Sequence, residues 1–535
     1  MKYRLFSLIL IFFFFSGCQT VSLKNEKSKI KNIIFLIGDG MGPQQLGLLL
    51  AYAQKAPHSI YKGKKTAFEK FSDHSNGQMG LMTHNAASAI VIDSASSASQ
   101  MATGRPSGSE MVGLDQYGRP VETVLELAKK KGKSTGLVTD TRVTHATPAA
   151  FASHWPHRSM ENEIAEELLF SGNVDVMLGG GLRHWIPKGS RSNPVLREQL
   201  NVLLGRNKLR LKSKRKDFKN LLLEAKARGY DLAFGRDQLL QSKGAKLLGL
   251  FSYSGMAHGI DHRKMKNDPL RIKPTLKDMT IKALDILSKN KKGFFLMVEA
   301  GQIDWAGHQN DAGTMLNEMV KFEETLAYVY DWVKDRKDTL VVVTADHETG
   351  SFGFSYSKRN LWSKAKTLPG RAFKKRGYKP NFNFGAFSLL DKIYDQKKTL
   401  VEIIAEYQAL EEKGPEDLVR LVEQYTSFSL TEKEAKKIME QEKNSFRVKN
   451  HKYLSSETIP KIEGPLKSFY VYPSEANANN LGLMLSKRQN TVWGTGTHTN
   501  TPVPLIFFTP DKKIKIKLLQ SNTDLGKFLK QIVKG

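Results

Sequence analysis

The sequence predicts an α/β protein, a three-layer α/β/α sandwich with a mainly parallel central sheet and an inserted peripheral subdomain. Short apolar runs recur along the chain, and amphipathic helical patterns, such as residues 121–131 and 276–288, lie between several of them. Strands that alternate with helices are typical of parallel sheets covered by helices on both faces. The apolar runs that we predict as core strands are residues 32–37, 134–139, 174–178, 293–298, 339–344 and 504–509.

The distribution of these patterns divides the chain into a core and additions. Residues 32–354 and 491–535 carry the predicted strands and form the predicted core. Residues 355–490 begin with many turn residues and continue with amphipathic helices, so we expect an inserted, crown-like subdomain there. Residues 186–260 are basic and mixed in pattern, and we expect a second peripheral addition.

The first residues of the chain predict export. A basic start and an apolar run over residues 5–15 precede two small residues and Cys18. This arrangement is typical of a signal peptide, here residues 1–17, and the apolar run is short for a bilayer span. A cysteine at this place resembles a bacterial lipoprotein signal, in which the cysteine is lipidated. We therefore expect a periplasmic or outer-membrane lipoprotein anchored in the bacterial membrane through Cys18, with residues 18–31 as a tether; a plain secretory signal stays open.

The charge and cysteine content restrict the possible partners. The formal net charge is +29, and Cys18 is the single cysteine, so no disulfide can form within the chain. Lys-rich stretches such as residues 208–219, 263–273 and 512–517 carry much of this charge. No basic stripe interleaved with aromatic residues and no nucleic-acid-binding motif is evident, so no nucleic-acid partner is predicted. A basic surface near an anionic membrane is the simplest interpretation, and its field would also attract anionic substrates.

The segment 294–308 holds three potential metal ligands at the end of a predicted strand. Its apolar run ends at Glu299, and Asp304 and His308 follow four residues apart. Residues at this spacing share one face of a helix. Open α/β sheets place their active sites at the carboxyl ends of strands. A strand followed by a solvated loop and a surface helix stays an alternative for this segment alone.

Other predicted strands also end in metal-ligand residue types. The first strand leads into a GDGMG turn that contains Asp39, and the strand TLVVVTA leads into Asp346 and His347. The strand near residue 139 leads to His145 and Thr147. Because the carboxyl ends of parallel strands meet at one edge of a sheet, we expect these side chains to converge.

The segment 91–104, VIDSASSASQMATG, differs because it offers a nucleophile. Small residues surround Ser94, which lies at the start of a predicted helix. The positive end of the helix dipole favours an alkoxide there, and small neighbours leave room for a bulky anion. An ordinary serine-capped helix in a crowded core is the alternative.

Six segments in order resemble the motifs of the alkaline phosphatase family, most closely bacterial members with crown-like insertions. The resemblance spans residues 31–354 and 494–508. The segments are GDGMG, DSASSASQMATG, HATPAAFASHWPHR, VEAGQIDWAGH, TADHETG and GTGTHT.

The resemblance implies a phosphate monoesterase that forms a phosphoserine on Ser94, with Arg158 as the phosphate clamp. It also implies two zinc ions and a third site, usually magnesium. The implied ligands are Asp304, His308 and His498 for one zinc, Asp39, Asp346, His347 and the Ser94 oxygen for the other, and Asp39, Thr147 and Glu299 for the third site. The chemistry agrees, because two adjacent metals stabilise attacking and leaving oxygens, and a guanidinium grips two phosphate oxygens.

Two positions depart from the best-known enterobacterial enzymes. His145 stands where they have aspartate, and Trp305 stands where they have lysine. We expect His145 to lie beside the third site and to favour zinc there, and Trp305 to change phosphate binding or release.

Three functions are consistent with these motifs and this charge. A phosphate monoesterase is the leading interpretation, and a phosphodiesterase of the same superfamily and a non-catalytic, metal-containing basic lipoprotein that binds anionic surfaces are the alternatives. Arg158 favours monoesters, because it occupies the room that a second ester group would need. The resemblance also implies a possible homodimer.

Overall fold

The computed structural model of the protein describes residues 30–374, 376–463 and 466–535. The predicted signal peptide (1–17), the lipidation site Cys18 and nearly all of the tether (18–31) lie outside the described residues. These three assignments therefore stay predictions.

Strands and helices alternate through most of the described chain. The strands are β1 (Asn32–Gly38), β2 (Gly77–Thr83), β3 (Ser134–Arg142), β4 (Val176–Gly180), β5 (Asp231–Ala233), β6 (Leu247–Leu250), β7 (Phe294–Ala300), β8 (Thr339–Thr344), β9 (Glu348–Thr349), β10 (Gly353–Phe354), β11 (Lys366–Thr367), β12 (Gly377–Tyr378), β13 (Gln441–Lys443), β14 (Thr458–Pro460), β15 (Thr491–Val492), β16 (His498–Thr499), β17 (Val503–Phe508) and β18 (Leu519–Ser521). The α-helices are α1 (Pro43–Lys55), α2 (Ala67–Asp73), α3 (Ser94–Thr103), α4 (Val124–Lys130), α5 (Ala146–Ala149), α6 (Glu161–Phe170), α7 (Pro194–Leu204), α8 (Leu221–Ala227), α9 (Arg236–Gln241), α10 (Gly259–Met265), α11 (Leu276–Leu287), α12 (Gln302–His308), α13 (Ala312–Val333), α14 (Ser388–Tyr394), α15 (Leu400–Gln408), α16 (Pro415–Tyr425), α17 (Glu432–Ile438), α18 (Ala476–Gln489) and α19 (Asn522–Lys534).

Ten of the strands form one central sheet, in the order β18-β2-β17-β8-β1-β7-β3-β4-β6-β5. Neighbouring strands are parallel except at β17, which runs antiparallel to both β8 and β2. The predicted α/β fold with a mainly parallel sheet is confirmed, and each of the six predicted core strands is present. The central strands β1, β7 and β8 are buried along their whole length, which explains their continuous apolar sequences.

The topology brings the predicted functional residues to one edge of the sheet. Strands β1, β3, β7 and β8 are parallel neighbours, so their carboxyl ends meet at the same edge. Because β17 is antiparallel, its amino end lies at that edge too. The residues that precede β17 therefore return there, and His498 in β16 pairs with Thr349 in β9.

The region 186–260 is only partly peripheral. Strands β5 and β6 lie in it and extend the central sheet beyond β4. The expectation of a peripheral addition is therefore wrong for these strands. They are three and four residues long, too short to produce a recognisable strand pattern in the sequence.

The described residues of 355–490 contain the α-helices α14 to α18, and α14 packs against α13 and α1 of the core. The ring of Tyr394 in α14 stacks on Tyr52 in α1 with centroids 4.6 Å apart. Asn317 Nδ2 donates to Tyr394 O at 3.0 Å, and Gln396 Nε2 donates to Asp311 Oδ1 at 2.8 Å. Within the described residues, no helix has both the length and the apolar character needed to cross a bilayer.

A buried carboxyl group in α13 predicts a pH-dependent stability. Glu323 accepts a hydrogen bond from the backbone N–H of Ala67 at the start of α2, and its Oε2 has no hydrogen-bond partner in the described part of the chain. Burial raises the pKa of Glu323 from 4.5 to about 8. The folded protein therefore holds a proton that the unfolded chain releases, so this group reduces stability as the pH rises from about 4.5 to about 8.

We expect Glu323→Gln, which keeps the shape without the charge, to raise the thermal unfolding midpoint relative to wild type at pH 9. The gain should shrink as the pH is lowered to 5, because wild-type Glu323 is then protonated. The exposed Glu198→Gln is the matched control and should show no such trend. A Glu323→Gln effect that is the same at both pH values would contradict the prediction.

Candidate active site

Two glycines allow the turn after β1 to carry Asp39 into the site. Gly40 has φ +77°, and a Cβ there would lie 2.6 Å from Asp304 Cα. A Cβ at Gly42 would lie 2.2 Å from Glu348 Cγ. Only residues without a side chain permit this conformation and these approaches, so the GDGMG turn packs directly against its neighbouring loops.

A first cluster forms where β1 and β8 end. Asp39, Asp346 and His347 are buried, and their ligand atoms lie within 4.8 Å of one another. His347 Nε2 lies 3.5 Å from Asp39 Oδ1 and 3.3 Å from Asp346 Oδ2. Burial and the charge of Asp346 raise the pKa of Asp39 well above its ordinary value, and burial raises that of Asp346 to about 7. Crowded carboxylates of this kind are stabilised by a bound cation.

A second cluster joins α12 to the residues before β17. His308 Nε2 lies 3.3 Å from Asp304 Oδ2, and His498 Nε2 lies 3.4 Å from Asp304 Oδ1. The two Nε2 atoms are 3.1 Å apart. His308 Nδ1 donates to Gly496 O at 2.8 Å, and His498 Nδ1 donates to Ile92 O at 2.9 Å. Because carbonyls only accept, the Nδ1 atoms carry the protons and the Nε2 atoms are free to bind a metal.

The first two clusters adjoin through their imidazole rings. The rings of His347 and His498 stack with centroids 3.6 Å apart. Ligand atoms of Asp304, His347 and His498 also lie within 4.8 Å of one another. Burial and the nearby His498 hold the pKa of His347 well below its ordinary value, so its imidazole is neutral. A neutral imidazole is the form that binds metals.

A third cluster lies between β7 and β3. Asp39, His145 and Glu299 bring ligand atoms within 4.8 Å, and His145 Nδ1 lies 3.9 Å from Glu299 Oε1. Glu299 Oε2 accepts hydrogen bonds from the hydroxyls of Thr139 and Thr141. His145, which the sequence assigns to the third site or to its immediate surroundings, lies in the cluster itself. Thr147, the predicted ligand, is buried, and its Oγ1 has no hydrogen-bond partner among the residues that the structure describes.

The three clusters satisfy the requirements of metal sites. Several of their polar atoms are buried and have no hydrogen-bond partner in the described chain, namely Asp39 Oδ1 and Oδ2, Asp346 Oδ2, Glu299 Oε1, His145 Nδ1 and Thr147 Oγ1. Each unsatisfied buried group of this type costs about 1–3 kcal/mol. Bound cations would remove this cost, and carboxylate, imidazole and hydroxyl donors are ligands for divalent ions.

Ser94 lies beside the first two clusters. It is the first residue of the buried helix α3, and its Oγ is 3.2 Å from His347 Nε2. The preceding Asp93 caps the helix by accepting from the backbone N–H groups of Ala95 and Ser96. Helix α19 packs against α3.

The close packing of α3 on α19 depends on a glycine. A Cβ at Gly526 would lie 2.4 Å from Gln100 O, so a larger residue would push the two helices apart. The position of Ser94 therefore depends on a contact at the far end of the chain.

Arg158 is the cationic side chain of the site. Its Nη1 donates to Asp93 Oδ2 at 3.1 Å, and its Nη2 lies 3.2 Å from His145 Nε2. Burial opposes its charge, but Asp93 raises the pKa of Arg158, so the guanidinium stays positive. Asp93 therefore orients Arg158 and caps the helix of Ser94 with one carboxylate.

A buried ion-pair network supports α12 from below. Lys321 Nζ lies 2.9 Å from Asp140 Oδ2 and contacts the carboxylate of Glu318. Asp140 Oδ1 accepts from the backbone N–H of Gly301 at 2.7 Å, directly before α12. The network thus holds the helix that carries Asp304.

Side chains of the insertion and the side chain of Trp305 line the site. The rings of Tyr472 and His308 meet edge to face with centroids 5.1 Å apart, and Asn479 Nδ2 donates to His308 O. On the opposite side, the rings of Trp305 and His145 meet edge to face at 6.1 Å.

Four residues of the site were missed by sequence reasoning. Asp93 and Thr349, whose hydroxyl donates to Asp304 Oδ1 at 2.5 Å, lie inside motifs that the sequence identifies, so adjacency was an available signal. Tyr472 and Asn479 lie in the insertion, where no local pattern marks them.

The chain matches proteins of one family over nearly its whole length. A sequence model described as alkaline phosphatase covers residues 30–534. Alkaline phosphatase 4 of Bacillus subtilis (strain 168) is 30% identical over 519 residues, which cover 96% of this chain and 90% of the relative. The chain belongs to the alkaline phosphatase family. It is therefore an enzyme of the phosphatase class, and the family is metal-dependent, in agreement with the three clusters.

Solved alkaline phosphatases share the fold. The cold-active enzyme of Shewanella sp. has a TM-score of 0.65 and 25% identity, covering 94% of this chain and 99% of that chain. A TAB5 alkaline phosphatase mutant, in which a histidine is replaced by aspartate and Mg is bound in the M3 site, has a TM-score of 0.57 and 19% identity, covering 95% and 99%.

The sharing of Asp39 between two clusters predicts an unequal effect of substitutions on metal content. We expect Asp39→Asn to lower the metal content of the first and the third cluster, which share Asp39. Glu299→Gln should lower the metal content of the third cluster alone. The measurement is elemental analysis of the purified protein after equilibration with divalent ions.

The control variant is His258→Ala. His258 forms another potential cluster with Asp261 and Glu402, but its Nδ1 accepts from Asp261 N and its Nε2 lies 3.2 Å from Glu402 Oε1. Its ring nitrogens are thus already used, so the metal content should not change. Equal losses in Asp39→Asn and Glu299→Gln would contradict a shared ligand.

Proposed function

We propose that this chain is a phosphate monoesterase that works through a phosphoserine intermediate on Ser94. The observation that carries the proposal is the position of Ser94 Oγ, 3.2 Å from His347 Nε2 at the amino end of a buried helix. The ion pair between Arg158 and Asp93, the residue before Ser94, supports Arg158 as the group that binds the phosphate.

The proposed metals are two zinc ions and a third ion, magnesium or zinc. Asp304, His308 and His498 would hold one zinc, and Asp39, Asp346 and His347 would hold the other. Asp39 and Glu299 would bind the third ion together with Thr147 or His145. When bound, the ions would neutralise charge on the oxygens that attack and leave phosphorus.

Whether the imidazole of His145 is a ligand affects which ion the third site prefers. Zinc accepts imidazole readily, whereas magnesium prefers oxygen ligands. In the TAB5 enzyme, the structure with Mg in the M3 site is of a mutant that carries aspartate in place of a histidine. From the chemistry of the ligands, we propose that the third site accepts zinc when His145 is a ligand and magnesium when the hydroxyl of Thr147 is.

The reaction of the chain's own residues has two displacement steps. Ser94 Oγ loses its proton as it attacks phosphorus, the bond from phosphorus to the ester oxygen breaks, and the ester oxygen takes up a proton and leaves as the alcohol. Water then attacks the phosphoserine, the bond between Oγ and phosphorus breaks, and inorganic phosphate leaves while Ser94 recovers its proton. Arg158 binds two non-bridging oxygens through both steps and keeps phosphorus in line with the hydroxyl.

Arg158 also favours a monoester over a diester. Its Nη1 donates to Asp93 and its Nη2 lies beside His145, so both ends of the guanidinium are fixed by neighbouring side chains. A monoester offers it two charged oxygens. A diester would place an ester group against one of these donors, which leaves a buried N–H without a partner.

The location of the enzyme is a proposal that rests on the first residues alone. We infer export through residues 1–17 and anchoring in the bacterial membrane through a lipid on Cys18, to the periplasm or the cell surface. The homodimer implied by the resemblance also stays a prediction.

We expect Ser94→Ala to lower kcat for an aryl phosphate by more than about a thousandfold, because the nucleophile is lost. Metal content should not change. The assay compares the aryl phosphate with its diester, with and without chelator. Wild type should hydrolyse the monoester far faster and should lose this activity with chelator.

The matched control is Ser96→Ala in the same helix, whose hydroxyl donates to Ser107 O at 2.9 Å and does not face the metals. It should keep most of the activity. Retained activity in Ser94→Ala, or preference for the diester, would contradict the proposal.

A further inference from the structure

Residues 207–216, NKLRLKSKRK, present a row of cations on one side. Asn207, Leu211 and Arg215 are buried, Leu209 and Ser213 are half-buried, and every residue between them is exposed. This strict alternation is the two-residue period of an extended chain. The exposed residues are all basic, and we call them the basic strip: Lys208, Arg210, Lys212, Lys214 and Lys216.

The inward side chains fix the strip to the core. Arg215 is fully buried, pairs with Glu166 and Asp217, and donates to His184 O and Asn162 O at 3.2 Å each. The backbone N–H of Lys214 donates to the carbonyl of Arg183 at 2.8 Å. The cations are therefore presented by an ordered backbone, which reduces the entropy cost of binding a ligand.

The charge of the strip is not neutralised by the protein. Over the part of the chain that the structure describes, no carboxylate lies within ion-pair distance of the five cations. The neighbouring Lys219, by contrast, lies 2.6 Å from Glu166 Oε2. An ordinary solvated face mixes both signs of charge, so a row of five unpaired cations creates a strong local field for anions.

Short segments of the chain connect the strip to the candidate active site on two sides. Asn162, which Arg215 contacts, is four residues after Arg158, and four residues span at most about 14 Å. On the other side, the guanidinium groups of Arg183 and Arg210 lie over the ring of Tyr253, at 5.6 and 4.9 Å from its centroid.

Tyr253 connects the strip to the wall of the site. It is two residues before Gly255, where a Cβ would lie 2.6 Å from the ring of Trp305. The ring of Trp305 in turn contacts that of His145 in the third cluster. A ligand bound at Ser94 would therefore reach the cations by passing the edge of Trp305.

We propose that the basic strip is a subsite for a chain of phosphodiesters whose terminal phosphate monoester occupies the site of Ser94. Alternate side chains of an extended segment are about 6.6 Å apart, a spacing comparable to that of successive charges along an extended phosphodiester chain. The proposal rests on the proposed function, and it adds a preferred substrate class, a polyanionic phosphate monoester.

The test compares two oligonucleotides of one sequence, each with a terminal 5′ phosphate. One has ordinary phosphodiester linkages and the other has uncharged methylphosphonate linkages. An aryl phosphate reports the basic reaction, and an oligo(glycerol phosphate) ending in a monoester separates recognition of charge from recognition of bases. The strip variant replaces its five cations by glutamine.

The matched control removes the same charge at the opposite edge of the sheet. The control variant replaces five exposed lysines by glutamine. They lie near the amino ends of β3, β7 and β8: Lys131, Lys289, Lys291, Lys292 and Lys337. This variant keeps the net charge of the strip variant, so any general effect of charge appears in both.

We expect the strip variant to lose at least about tenfold in kcat/KM on both polyanionic substrates, mainly through KM, because each phosphate contact adds affinity. The aryl phosphate and the methylphosphonate oligomer should change less than about twofold. For wild type, log kcat/KM on the polyanions should fall with log salt with a slope of up to about −3.5 for five contacts.

Several results would overturn the proposal. Two of them concern kcat/KM: the strip variant loses equally on the charged and uncharged oligomers, or the control variant loses as much as the strip variant. A third is an effect of the strip variant on the oligonucleotide but not on the oligo(glycerol phosphate). The last is weaker binding of the strip variant to anionic vesicles while its substrate preference stays unchanged. The last result would assign the strip to a membrane surface. No effect at all would assign it to protection of an exposed extended segment from pairing, a known use of lysine.

Hydrolysis of the aryl phosphate by wild type distinguishes a failure of the proposed function from a failure of the subsite proposal. If wild type does not hydrolyse it, binding of the charged oligomer is measured directly by fluorescence anisotropy. Weaker binding by the strip variant than by the control would still support the subsite, and equal binding would overturn it.

Discussion

The mutual repulsion of buried carboxylates at one edge of the sheet is the constraint on which the site depends. Asp39 lies between Asp346 and Glu299, and its oxygens have no hydrogen-bond partner within the described chain. Cations that neutralise the carboxylates stabilise such an arrangement, and without them the raised pKa values of Asp39 and Asp346 favour protonation instead. Because Asp39 belongs to two clusters, the occupancy of one metal site affects the charge that the other one experiences.

The surrounding structure opposes the relaxation of this strained arrangement. Gly40 lets the turn of Asp39 contact the backbone of Asp304, and the ion pair of Lys321 with Asp140 supports the start of α12. The tight contact at Gly526 holds α3 in place. Each of these contacts comes from a distant part of the chain, so the packing of the protein itself holds the side chains of the clusters in position, which is the usual requirement of an efficient catalytic site.

Much of the fold and most of the clustered potential metal ligands were predictable from the sequence, because they follow local patterns. A buried parallel strand produces an apolar run, and the residue after it lies at the active edge; Asp39, Glu299 and Asp346 are examples. Ser94 was identified by its small neighbours and its place at the start of a helix.

What the sequence did not predict depends on long-range packing. Tyr472 reaches His308 only because the insertion folds back on the core. The strands β5 and β6 were missed because they are short. The basic strip was visible as charge, but its alternation with buried anchors and its contact with Tyr253 required the structure.

The stereochemical course at phosphorus tests the central claim, a covalent intermediate on Ser94, most directly. A monoester whose phosphorus is made chiral with oxygen isotopes is converted in the presence of an acceptor alcohol, and the configuration of the new ester is determined. Two in-line displacements through Ser94 each invert the configuration, so the account predicts net retention. Net inversion would show a single direct displacement and would contradict it.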